Sequence, residues 1–146
     1  MQIKHILLYG CCILSACSNP QKDQAEKLEK EVMMIHDAVM PKMGQLVSLE
    51  SAISKRITQL DSIAQKNPKD TSAQASLKKA LQLSTQLKKA DDGMMDWMHQ
   101  YKGDSLKKLA PEEAIKALTN EKIKIEQVSD DMLKSIENAQ KLLKQQ

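Results

Sequence analysis

The chain has 146 residues, a formal net charge of +3, four glycines, four prolines and no phenylalanine. That length fits one domain, and so few turn-forming and aromatic residues exclude a compact aromatic core in favour of thin, elongated helices. The cations are lysines apart from Arg56 and alternate with acids, which describes a solvated helix surface and not a nucleic-acid face.

The chain opens Met1-Gln2-Ile3-Lys4-His5 and runs apolar from Ile6 to Ala16. A basic start, a short apolar stretch and small residues before a cut have the layout of a secretory signal. The stretch is about half the ~20 residues that a spanning helix needs. Leu14-Ser15-Ala16-Cys17 then resembles the lipobox of bacterial lipoproteins. That resemblance implies a signal peptide over 1–16, cleavage after Ala16, diacylglycerol on the Cys17 sulfur and an acylated, palmitate-type N-terminus. Two or more acyl chains hold a protein stably on a membrane where one does not. Ser18, where Gram-negative sorting would read Asp as an inner-membrane signal, implies the outer membrane and leaves the leaflet open. Cys11 and Cys12 fall within the signal, so the mature chain has no disulfide and no thiol metal site.

Residues 17–23 read as a polar tether. From there Ala25, Leu28, Val32, Ile35, Val39, Leu46, Leu49, Ile53, Ile57, Leu60 and Ile63 recur at steps of three and four, predicting one helix over about 24–66. Pro41 should kink it. Asn67-Pro68-Lys69-Asp70 is a turn signal, and Thr71 with Gln74 fits a capping box opening a second helix, 71–102. Its stripe is Leu77, Ala80, Ser84, Leu87, Asp91, Met94, Met98 and Tyr101, a heptad seam with Asp91 as its misfit, unless the helix turns to present Ala90. Gly103-Asp104 closes that helix, and Pro111 suits the first turn of a third, 111–144. Short connections make these helices antiparallel neighbours. The expected fold is therefore all-α, an elongated antiparallel three-helix bundle of coiled-coil character, with an open hairpin as the alternative. The first helix is the longest, and about its first dozen residues should overhang as a stalk toward the membrane.

Seven of the eight methionines beyond the signal fall in two segments, 33–44 and 93–101, together with His36, His99, Trp97 and Tyr101. His36 lies about thirty-one residues before the Asn67-Pro68 turn and His99 about thirty-one after it, so the segments should come level in the hairpin. Gly44 and Gly93 also come nearly level, which would let two backbones approach. HDAVMPKMG (36–44) and GMMDWMHQY (93–101) resemble the two marker stretches of small helical bacterial lipoproteins often labelled "viral A-type inclusion protein". The resemblance runs from about Leu28 to the C-terminus and includes Met132-Leu133-Lys134-Ser135-Ile136. It implies a helical fold and a lipid anchor, and no activity.

For this cluster the expectation is a packing layer in which methionines fill irregular gaps and touch aromatics. The alternative is a Cu(I) site drawn from His36, Met40, Met43, Met94, Met95, Met98 and His99, because thioether and imidazole select soft metals. Trp97 would then contact the ion through its ring, or simply pack. A flexible methionine-rich peptide groove is a further reading. Catalysis is not expected: no phosphate loop or hydrolase elbow is present, and His36 and Asp37, adjacent on a helix, should point about 100° apart and form no dyad. The expected role is protein–protein interaction or scaffolding in the cell envelope. The partners are the membrane through Cys17, an envelope protein, possible further copies through helix faces, and no nucleic acid.

Overall fold

The computed structural model describes residues 19–144. The signal segment, Cys17 and Ser18 lie outside them. Among the described residues every regular element is helical, and the protein is all-α. The elements are α1 (Pro20–Val39), a 3₁₀ turn (Met40–Lys42), α2 (Met43–Lys66), α3 (Thr71–Gln100), the one-turn α4 (Gly103–Leu106) and α5 (Pro111–Lys144).

α1 begins four residues earlier than its apolar stripe suggests. Asn19 caps it by accepting from the Gln21 amide at 3.1 Å, and Pro20 occupies the first turn, where a missing amide costs nothing. Pro41 interrupts the long first rod as a 3₁₀ turn in which the Met43 amide bonds back to the Met40 carbonyl. At the hairpin, the Thr71 capping box is replaced by Asp70. Its carboxylate accepts from the Ser72 and Ala73 amides at 2.9 and 3.0 Å, while Gln74 donates to the Pro68 carbonyl at 2.7 Å. A carboxylate is the stronger acceptor and suits the positive end of the helix dipole, so the cap falls one residue earlier.

Side-chain links fix the directions of the helices. Trp97 bonds to Glu121, and Ser135 Oγ to the Gln86 carbonyl, so α3 and α5 run antiparallel. Lys122 donates to Glu31 at 2.7 Å. Glu31 and Lys122 each lie eleven residues into their helices (31 − 20 and 122 − 111), so α1 and α5 start level. This overturns the stalk. The connection after α3 includes α4 and climbs past the end of α3 before α5 begins, and the first turns of α1 pack beside it. Lys107, just beyond α4, lies 3.1 Å from Glu29.

The core repeats every seven residues: Val32, Val39, Leu46, Ile53 and Leu60 along α1 and α2, and Leu118, Ile125, Met132 and Ala139 along α5. On α3 the buried set is Ala73, Ala80, Leu83, Leu87, Ala90, Met94 and Trp97. Ala90 takes the core position and Asp91 the flank, because an alanine is buried at no electrostatic cost. The same turn of the helix moves Ser84 and Met98 to the flanks and brings Leu83 and Trp97 inward.

Candidate functional site

The two methionine-rich segments do come level. His36 on α1 and Trp97 on α3 have ring centroids 5.5 Å apart, and Trp97 stacks on Tyr101 at 4.9 Å with the planes 22° apart. Tyr101 follows Trp97 by one helical turn, which places their rings in register along the same face. The indole N–H donates to Glu121 Oε2 at 3.1 Å, and Lys124 holds the other carboxylate oxygen at 2.8 Å. Tyr101 is half-buried with its hydroxyl oxygen out of solvent and without a hydrogen-bond partner. Burial and then the charges of Glu29 and Glu121 raise its pKa, so the phenol stays neutral. A Cβ at Gly103 would come within 3.2 Å of the Tyr101 ring, so the bare backbone there lets the chain fold over the aromatic.

Met94 is fully buried, and Met33, Met40, Met43 and Met98 pack partly buried against the core. Met34 and Met95 are exposed, and so is His99, whose carbonyl accepts from Lys102. At ~100° per residue, Met95 and His99 point ~160° away from Trp97 around α3, to the side opposite the one His36 touches. The seven candidate ligands therefore split into an inward group and an outward pair. Among the described residues no three His, Cys, Asp or Glu side chains gather as a metal cluster.

Two expectations are corrected here. His36 Nδ1 hydrogen-bonds to Asp37 Oδ1 at 2.9 Å, so the neighbours do meet although their Cα–Cβ vectors diverge. The carboxylate accepts, which puts the proton of a neutral imidazole on Nδ1. Asp37 is mostly exposed, with 72% of its side chain open to solvent against 16% for His36. Gly44 and Gly93 make no close backbone approach: a Cβ on Gly44 would meet nothing within 4 Å, and one on Gly93 would meet only Val128 of α5, at 3.9 Å.

Two further features escaped the sequence reading. Glu50 on α2 has a buried carboxylate oxygen with no partner, near Asp91 and Asp92 on α3. Burial first, and then those acids, raise its pKa against the opposing pull of Lys88. The second is a groove of about 660 Å³ between the start of α1 and the start of α5. No family model matches the chain, no curated protein matches it, and no solved structure matches it.

Proposed function

We propose that this chain is a bacterial lipoprotein, tethered to the outer membrane by lipid on Cys17, that acts by protein–protein interaction or scaffolding in the cell envelope. The observation that carries this reading is Leu14-Ser15-Ala16-Cys17 after a short apolar run, three residues before a capped helix begins. The resemblance of the two marker stretches to small helical lipoproteins supports it. No helix among the described residues is long and apolar enough to cross a membrane. In this reading the tethered domain is an elongated antiparallel three-helix bundle, with α1 and α2 as one rod, α3 antiparallel to it and α5 completing the set.

The methionines, on this view, are packing. The pairing of His36 with Trp97, and of Trp97 with Glu121, supports a structural layer that joins three helices. Catalysis has no place in the proposal.

The test is Cys17→Ala in cells fed labelled fatty acid. The variant should accumulate as an uncleaved precursor without label. Processing to the same mature size would favour ordinary signal cleavage instead. Co-purification of the tagged lipoprotein from its own membranes should then return a protein partner.

A further inference from the structure

The groove lies at the end where the chain enters α1. One wall is α1, with Lys22, Ala25 and Met33, and the other is the α4 connection and the first turns of α5, with Leu106, Leu109 and Leu118. It stays open because Ala25 and Ala114 line it where larger side chains would fill the space between α1 and α5. Lys122 to Glu31 and Lys107 to Glu29 brace the walls on either side. Leu109 is 39% exposed, an unpartnered leucine at the mouth.

The lining selects a ligand class. Its apolar side chains offer no hydrogen bonds, and the rim mixes lysines with glutamates, one lysine already committed to Glu29. Such a groove recognises hydrocarbon and no particular headgroup charge. Its volume falls within the ~300–1,000 Å³ of sites that enclose most of a small ligand. Cys17 precedes Pro20 by three residues, and three residues span at most ~11 Å. A group on Cys17 would therefore be attached within ~11 Å of Pro20, at the end of α1 whose Lys22 and Ala25 line the groove.

We propose that the groove holds one acyl chain of the lipid on the protein's own Cys17, while the remaining chains stay in the bilayer. This rests on the lipid-anchor reading. It fixes the groove end of the domain against the membrane surface, where a flexible tether alone would let the domain swing.

The experiment uses the full-length protein in its membranes, made in cells fed a fatty acid with a diazirine near its terminal methyl. After irradiation and digestion, peptides covering 22–33 or 106–118 should be joined to the N-terminal lipopeptide. Leu109→Asp, at an exposed position, should keep the labelling and the helical circular dichroism and reduce that product severalfold. Adducts only with bilayer phospholipid, joins spread evenly along the helices, or an undiminished yield in Leu109→Asp would each overturn the inference. An unlabelled protein would overturn the anchor reading and this inference together. A labelled protein without groove products overturns this inference alone.

Discussion

The indole nitrogen of Trp97 donates to Glu121 across 24 positions of sequence, and that bond ties α3 to α5 at the level of the aromatic stack. Trp97 is 6% exposed, so water can replace a lost partner of its N–H only in part. Glu121→Leu should destabilise the protein by about 1–3 kcal/mol, the cost of leaving a buried donor unpaired. Glu121→Gln, which still offers a carbonyl oxygen, should cost clearly less. Urea melts followed by circular dichroism give both values, and a Glu121→Leu protein as stable as wild type would remove the bond from the account.

Replacing Met40, Met43, Met94 and Met98 together by leucine separates filling from ligation. Volume-conserving swaps usually cost under ~1.5 kcal/mol each, so the variant should fold, with a modestly lower Tm. Ligands that bind the native state raise Tm by mass action. Wild type and variant, melted with and without Cu(I) under anaerobic reductant, should both show no copper-dependent shift. A shift in the wild type alone, with a change in Trp97 fluorescence, would assign the sulfurs to a metal.

Glu50 sets the sign of a local pH dependence. Its pKa is raised from the ordinary 4.5 by burial, then by Asp91 and Asp92. The native state therefore holds this proton more tightly than the unfolded chain does. The contribution of Glu50 to stability falls as pH rises from about 4.5 through the raised value, and the penalty persists above it. Glu50→Gln should melt higher than wild type at pH 7, and the gap should close as pH falls below the ordinary carboxylate range. Glu31 and Glu137, whose lysine partners lower their pKa values, act in the opposite direction, so the informative quantity is the difference between variant and wild type. A gap that is absent at pH 7, or widens on acidification, would contradict the assignment.

Asp70 and Thr71 make competing claims to cap α3. Asp70→Ala should cost about 0.5–2 kcal/mol, the usual loss for an N-cap, whereas Thr71→Ala should be nearly silent. The reverse order in thermal melts would return the cap to Thr71.

Helix positions were legible because the apolar spacing is regular and Gly, Pro and Asn punctuate it sparingly. That the segments 33–44 and 93–101 come level followed from counting outward from the hairpin turn, although the count set His36 opposite His99 and the structure pairs it with Trp97. The facing of α3 was legible only where charge decided it. Asp91 beside Ala90 announces which goes inside, but Met98 beside Trp97 does not, since both are apolar and only the packed partner chooses. α4 was hidden because Gly103-Asp104 reads as a stop and gives no sign that the chain then climbs alongside α1. The groove was hidden for a different reason. It is made by volume that Ala25 and Ala114 lack, and missing volume has no periodic signature. Glu50 reads as one more surface acid, because nothing local shows that α3 will cover it.

The 3₁₀ turn at Met40–Lys42 has a consequence for the whole first rod. Residues seven apart on a straight α-helix fall ~20° short of two full turns, so a seven-residue stripe creeps around the helix. From Val32 to Leu60 the lag would reach ~80° over four repeats, enough to swing one end of the stripe off its neighbours. A 3₁₀ turn winds at three residues per turn, ~20° more per residue than an α-helix, so the tightened turn recovers part of that lag. The proline that interrupts the helix therefore partly resets its angular phase midway. Val32 and Val39 above it, and Leu46, Ile53 and Leu60 below it, stay on one bearing, and the rod needs correspondingly little supercoiling to remain in mesh along its length.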